Sequence, residues 1–529
     1  MTVAYREILK HSAIYGVGQV LSRLASFLLL PLYTSYLRPA DYGCLAILDL
    51  TSTLLGTLVG SGMAATANRF HFDSDDDRHR DRVWWTALTL LVVAALLVVT
   101  PCWFARDLLT RVSLGRAQPA GPFYYALVLP TLCLTALGEF LFQYLRVRKW
   151  SGLTVVLSMG DLLLRIGLNV YFLVGLHLGM VGILWSNLLV TGTTGLVVFA
   201  LFVASRGRYC FDVPLARHLW RFGMPLMFTT MLAIVMYQAN RYVLNLYADL
   251  AQVGIYSLAY AIAQGVYGLL ANPFTAIWGA VVYEIAAHRD AKAVYHVVFK
   301  YYAYVVALLL FGLSLFARPI LALMTAADYS EAAGLIPILS LACFFSSLHT
   351  HFSVPALLAK KTVHLMPAVA VAATFNLTAT FLLVPRFGYY GAAWACVGTY
   401  ALFSFTGLAV YRRIDRYEYP LVRCAMVLAG MGACCVVMRL MDQMRLSMWV
   451  LLCFAAMIWT AWAAALLGRP TTQAALGWWH HGALGPWAGG PEETPLERIA
   501  AAESRLAVQA LPAASPICAA DGELEPEYP

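Results

Sequence analysis

The sequence has 529 residues, of which 61% are hydrophobic and only 12% charged, with a mean hydropathy of +0.70. That composition excludes an ordinary soluble domain and fits a chain that crosses a membrane many times. The net charge of +8 does not call for nucleic acid, because basic residues also gather in loops that stay in the cytoplasm.

The chain opens with Arg6 and Lys10. An apolar run over 12–36 follows, long enough to cross a bilayer as one helix. It is too long for a signal-peptide core and lacks a clear cleavage site, so it reads as an uncleaved anchor. Arg23 sits about 11 residues into the run, roughly 17 Å deep at 1.5 Å per residue. A charge at that depth is expensive and usually faces a partner or a wet cavity. No acid stands three or four residues away, since Gln19, Val20, Ser26 and Phe27 occupy those places. A polar turn over Leu37–Gly43 ends the run. Thirteen further spans are predicted at 44–66, 83–104, 123–145, 151–175, 181–204, 222–246, 254–276, 298–317, 334–357, 363–383, 393–411, 421–440 and 447–467. The fold class is an all-α polytopic membrane protein with about 14 transmembrane helices.

Lysines and arginines set the orientation. With the N-terminus in the cytoplasm, the inner segments hold 22 and the outer ones 8 before the tail is reached. Both termini are therefore expected inside. The longest outer connection is 105–122, too short to be a catalytic domain.

Two pairs of signals show an internal repeat. Gly179-x-x-Gly182-x-x-Trp185 recurs as Gly388-x-x-Gly391-x-x-Trp394, an offset of 209, and Gly43 recurs as Gly254, an offset of 211. Six spans per unit give a parallel repeat, with a transport site expected between the lobes near the midplane. The expected organisation is a six-helix lobe over 1–210, a second over 211–416, two added helices over 417–467 and a cytoplasmic tail over 468–529. The tail is rich in Pro, Ala and Glu and reads as largely disordered. Thr494-Pro495-Leu496-Glu497 is a capping-box pattern for one short helix over 495–510.

Charged residues within spans are the candidate cavity groups. Arg23 leads. Asp161 and Arg165 lie four apart on one face of span five, as do Glu139 and Gln143 on span four. Asp49, Asn240 and Arg241 are weaker candidates nearer a span end. A structural ion pair or snorkelling is the plain alternative for each. An arginine in a cavity suits a phosphate, because its planar fork binds two oxygens and stays charged. The acids suit a coupling ion, H+ or Na+.

Other signals point away from enzyme chemistry. Asp73-Ser-Asp75-Asp-Asp77 has the D-x-D spacing of metal-binding sugar transferases, but its loop of about 16 residues reads as a solvated charge run. His349 and His351 are two apart and face different sides of a helix. The eleven cysteines have no C-x-x-C pair and read as small buried hydrophobes. No phosphate-binding G-x-x-x-x-G-K-[ST] loop is present. No cofactor or metal is expected. Trp84, Trp85 and Trp150, near span ends, read as interfacial anchors.

Several stretches together resemble the polysaccharide-biosynthesis (Wzx-type) flippases of the multidrug/oligosaccharidyl-lipid/polysaccharide export superfamily. They are Ser22-Arg23-Leu24, Leu37–Gly43, Asn68-Arg69-Phe70-His71-Phe72, Leu145-Arg146, Asn240–Leu244, Gly254-Ile-Tyr256 and Tyr283-Glu284. The resemblance runs from about residue 8 to 467. It implies a non-enzymatic flippase that moves undecaprenyl-diphosphate-linked oligosaccharide across the bacterial inner membrane by alternating access, with membrane lipids and other polysaccharide-assembly proteins as partners. Ser22-Arg23-Leu-Ala-Ser-Phe27 is similar to the cavity-arginine context of lipid II flippases. Their second arginine has no counterpart at Leu28 to Leu30. A cation-coupled exporter on the same scaffold, a glycan polymerase or ligase, and a scaffold of the assembly complex are the alternatives.

Overall fold

A computed structural model describes residues 29–60, 62–74, 76–115, 118–206, 209–286, 291–359, 365–412, 419, 421–443 and 448–467. All regular structure among the described residues is helical. In chain order the helices are α1 (29–36), α2 (Pro39–Gly60), α3 (Met63–His71), α4 (Asp77–Phe104), α5 (Arg106–Ser113), α6 (Gly121–Val147), α7 (Ser151–Val170), α8 (Met180–Arg206) and α9 (Val213–Tyr247). They continue with α10 (Leu250–Ala286), α11 (Ala291–Leu315), α12 (Ala317–Met324), α13 (Ala332–Phe352), α14 (Val354–Leu358), α15 (Leu365–Tyr411), α16 (Leu421–Gln443) and α17 (Met448–Leu467).

Ten helices among the described residues are long and apolar enough to cross a membrane. The sequence reading gives about fourteen, and the difference has three sources. Most of the first span lies outside the described residues. The spans at 363–383 and 393–411 run together as α15, which is broken at Gly388 (φ 55°, ψ −135°). The last two appear as shorter apolar stretches, Cys424–Val436 and Leu452–Ala464. The tail and its expected helix over 495–510 lie outside the described residues.

The repeated G-x-x-G-x-x-W motif has a local physical cause. Gly179 and Gly388 share a left-handed φ of 55°, which glycine adopts without steric cost and which reverses the chain after a helix. Three residues on, Gly182 lets α8 return tightly, because a Cβ there would come within 2.8 Å of the Phe172 Cβ. Gly391 does the same against the Leu383 carbonyl. Trp185 and Trp394 then stand partly exposed, Trp394 on the wall of a cavity between α11, α13, α15, α16 and α17.

In the packing, α2 lies along α10, α9 along α15, α13 against α10, α11 and α15, and α6 against α8. One long apolar core joins these helices. A second core fills the end near α3 and the start of α4. Trp84 and Trp85 belong to it, which corrects their reading as interfacial anchors. Trp84 is fully buried against Phe140 and Tyr144, at ring distances of 5.2 and 5.1 Å. Its indole N–H donates to Nδ1 of the buried His71 at 3.1 Å, so the one polar atom of the ring is satisfied inside the protein. Trp150 is partly buried, with Arg148 stacked over its ring at 5.5 Å.

The acidic loop before α4 behaves as helix-start chemistry. The Asp76 carboxylate accepts from the Arg78 backbone N–H at 3.1 Å and caps α4, while Asp73 pairs with Arg69. Among the described residues no cluster of His, Cys, Asp or Glu could hold a metal.

Candidate functional site

Among the described residues, two clusters bring candidate charged groups together on the apolar helices. The first lies between α7 and α8. Arg165 Nη2 donates to Asp161 Oδ2 at 3.3 Å, and its Nη1 donates to Asn187 Oδ1 at 2.6 Å. Asp161 Oδ1 accepts from Thr194 Oγ1 at 3.0 Å. The i,i+4 spacing on α7 meets a seven-residue spacing on α8, so each helix presents two polar groups on one stripe. Both charges are about 30% exposed. The pair is therefore neutralised but not sealed, and Tyr33 of α1 lies within electrostatic reach of Arg165.

The second group lies among α2, α9 and α10. Asp49 is exposed between two buried neighbours, Leu48 and Leu50. Arg241 is held over the Tyr260 ring at 5.0 Å and acts electrostatically on both Asp49 and Tyr42. Among the described residues no ion pair joins Arg241 to a carboxylate. A guanidinium stacked on a ring keeps its charge and leaves its N–H edge available. Tyr260 is fixed in turn by Tyr400 at 2.9 Å and Gln264 at 3.1 Å.

The remaining candidates fall elsewhere. Asn240 is fully buried, and its amide is used up. It donates to Tyr256 and to the Ala392 carbonyl at 3.2 Å each, and it accepts from Thr380 at 3.1 Å. That makes it a joint between α9, α10 and α15, not a free ligand group. Gln143 accepts from Arg146 at 3.2 Å, and Glu139 is exposed within reach of the same arginine. These two belong to the far end of α6, apart from Asp49 and Arg241. Arg23 lies outside the described residues. His349 stacks on Phe403 at 3.8 Å, while His351 sits among Phe274, Trp278, Phe299 and Tyr302.

Tyr260 was not among the expected site residues. The signal that could have found it is the stripe Tyr256, Tyr260, Gln264 and Tyr267, polar groups at helical spacing on an otherwise apolar span. A polar chain also runs Ser113–Tyr125–Thr51–Tyr242 across α5, α6, α2 and α9.

At one end α2 and α10 cross in close contact. A Cβ added to Gly43 would fall on the Leu250 carbonyl oxygen, and one added to Gly254 would fall on that of Pro39. Around this contact Thr34 Oγ1 donates to the Met324 carbonyl at 3.2 Å, and Asn245 Nδ2 donates to that of Ser113 at 2.6 Å. Tyr329 Oη donates to the Leu37 carbonyl at 3.1 Å. Burial pushes the Tyr329 hydroxyl above the ordinary tyrosine value, so it stays protonated and remains a donor.

A cavity of about 1080 Å³ opens between α11, α13, α15, α16 and α17. Its walls include Leu310, Phe311, Leu341, Phe344, Leu428 and Met431, and its mouth carries Arg318, Glu331 and Tyr389.

The sequence profile described as polysaccharide biosynthesis protein matches residues 8–279. The chain belongs to that family. No curated protein sequence matches it. The fold is similar to that of a lipid II flippase, MurJ, in an inward closed conformation, with a TM-score of 0.69 at 12% identity, covering 87% of this chain and 99% of that one. It is also similar to an inward-facing multidrug resistance MATE transporter of the MOP superfamily, with a TM-score of 0.62 at 15% identity over 78% of this chain and 99% of that one. An outward-facing MATE structure gives 0.56 at 15% identity over 79% and 96%. At these identities the likeness establishes a fold shared by flippases and transporters. This member of the polysaccharide biosynthesis family is a multi-pass membrane protein.

Proposed function

We propose that the chain is a flippase for an oligosaccharide carried on undecaprenyl diphosphate, working by alternating access in the bacterial inner membrane. Arg241 carries this reading: it is a half-buried cation stacked on Tyr260 within electrostatic reach of Asp49 and joined to no carboxylate by an ion pair among the described residues, suited to a diphosphate. Arg165, and Arg23 from its sequence context, are the further proposed cations. Family membership supplies the glycan context. The apolar cavity bounded by α16 and α17 fits a long lipid tail, while the sugar needs a wet interior. The two moving bodies are proposed as the lobes 1–210 and 211–416. The excess of basic residues supports cytoplasmic termini.

No bond is made or broken, and no cofactor is invoked. Asp49 is the proposed carrier of a coupling H+ or Na+, with Asp161 already held by Arg165 and Thr194. Other polysaccharide-assembly proteins are the proposed partners.

The test is reconstitution of the full chain in proteoliposomes with a lipid-linked oligosaccharide in one leaflet. The reading expects the oligosaccharide to reach the other leaflet, and Arg241→Ala to slow this at least tenfold. Movement of an organic cation without any movement of the lipid-linked sugar would replace the flippase with an exporter.

A further inference from the structure

A second cavity, about 710 Å³, lies where the start of α9 meets the start of α15. Arg217, Trp220, Arg221, Met224 and Phe228 line it from α9, and Met366 lines it from α15. None of these residues enters the transport site described above.

The order of residues along α9 carries chemical information. Arg217 and Arg221 are one turn apart and both exposed. Met224 and Phe228 continue the same face at steps of three and four. Along the helix axis, the distance from Arg217 to Phe228 is about 16 Å at 1.5 Å per residue. The groove is thus cationic at one end and apolar at the other, over roughly the hydrocarbon depth of one leaflet.

The length of α9 sets the depth of the arginines. Its 35 residues make a helix of about 52 Å, against a hydrocarbon core of about 30 Å. The first turns must project into the headgroup layer, and the exposed Trp220 suits that depth. No acidic residue lines the groove among the described residues. Asp212, the nearest acid in sequence, is engaged elsewhere. It accepts from the Leu215 N–H at 3.1 Å to cap α9 and lies 3.7 Å from Arg82.

We infer that this groove holds an anionic phospholipid, its phosphate on Arg217 and Arg221 and one acyl chain along Met224, Phe228 and Met366. Two guanidinium groups can grip one phosphodiester from two sides, and basic pockets between membrane helices on the cytoplasmic side are suited to anionic headgroups. The leaflet follows from the proposed orientation. The lipid site itself does not depend on the flippase reading.

Full-length protein stripped of co-purified lipid is titrated with phosphatidylglycerol or phosphatidylcholine, and bound lipids are counted by native mass spectrometry. The wild type should retain one phosphatidylglycerol that phosphatidylcholine does not replace. Arg217→Gln with Arg221→Gln should weaken that adduct about tenfold or more and leave the phosphatidylcholine adducts unchanged. The double lysine variant keeps the charge and loses the fork, so it should hold the lipid at intermediate strength and guards against a folding failure of the glutamine variant. Equal phosphatidylglycerol binding by wild type and both variants overturns the inference. Displacement of the lipid by inorganic pyrophosphate also overturns it, because the arginines would then belong to a diphosphate site.

Discussion

Gly43 of α2 and Gly254 of α10 meet backbone to backbone, and the contact reads the same from either side. A Cβ on Gly43 would come within 2.9 Å of the Gly254 nitrogen, and one on Gly254 would come within 3.0 Å of the Gly43 nitrogen. Leu250 and Pro39 supply the two facing carbonyls. The same offset of 211 relates Gly43 to Gly254 and Pro39 to Leu250. Such a self-complementary contact has the form of a two-fold interface, here within one chain.

That contact yields the first prediction. Two carbonyl oxygens occupy the places of the missing methyl groups, and a backbone cannot step aside as a flexible side chain can. Gly43→Ala and Gly254→Ala should each force the helices apart, at a cost of about 1–3 kcal/mol for overpacking. Glycan export in a deletion strain should fall several-fold at near-normal protein level. Gly56→Ala is the control, because the nearest atom to its added methyl is Leu132 Cγ at 3.9 Å. Equal export by all three variants would show that the crossing is not a working contact.

Neighbouring residues on α9 should separate structure from transport. Asn240→Ala removes three buried hydrogen bonds that join α9 to α10 and α15, although Thr380 keeps its bond to the Asn376 carbonyl. Each lost bond costs about 0.5–1.5 kcal/mol, so the variant should lose membrane protein level and melting temperature. Arg241→Ala removes a stacked cation worth about 0.5–2 kcal/mol to the fold. It should stay folded and lose transport. Tyr260→Phe keeps the ring and should hold Arg241 in place, whereas Tyr260→Leu should not. Melting curves beside transport assays distinguish these outcomes. A folded, fully active Arg241→Ala would remove Arg241 from the substrate path.

The fold class was legible because membrane spans are written as long apolar runs, and the shared G-x-x-G-x-x-W motif was legible because left-handed glycines cannot be replaced cheaply. Gly179 and Gly388 carry the same φ for the same reason that they stand in the same motif. Individual burial was less legible. Trp84 sits near a span end and carries a polar atom, which suits a lipid interface equally well until His71 is seen to accept its hydrogen bond. Asn240 and Arg241 are adjacent in sequence but differ by about 100° around a helix. One therefore points into a helix joint and its neighbour over the Tyr260 ring, and only the packing of α15 decides which.

The pair on α7 gives a prediction by combination. Arg165 and Asp161 are partners, yet each has a second one, Asn187 and Thr194. Removing either charge should cost only about 1 kcal/mol, since the groups are partly solvated and the survivor keeps a hydrogen bond. If Arg165 also receives substrate phosphate, Arg165→Ala should lower transport far more than stability. Asp161→Ala should then leave transport closer to normal, because the arginine keeps Asn187. If the pair is structural alone, both single variants should behave alike, and the double variant should be no worse than either. Transport that tracks protein level across the three variants would assign the pair to the fold.

Arg23 makes the sharpest test of the proposed chemistry, on sequence grounds. It stands near the middle of an apolar run with no acid one turn away on either side. Its Ser-Arg-x-x-x-Phe context is similar to that of cavity arginines in lipid II flippases. If it binds diphosphate, charge and fork both matter. Arg23→Ala should stop translocation while the protein remains inserted at normal level, and Arg23→Lys should keep a remnant, since lysine retains the charge without the bidentate geometry. A purely structural arginine predicts another pattern. Its loss would leave a carboxylate such as Asp49 without that partner, which lowers stability. A second change that neutralises that acid would then restore the protein level. Translocation of the lipid-linked donor, measured beside protein level in the membrane, tells these apart. Full transport by Arg23→Ala at normal level would defeat both forms of the idea and leave Arg165 and Arg241 as the cations that face the substrate.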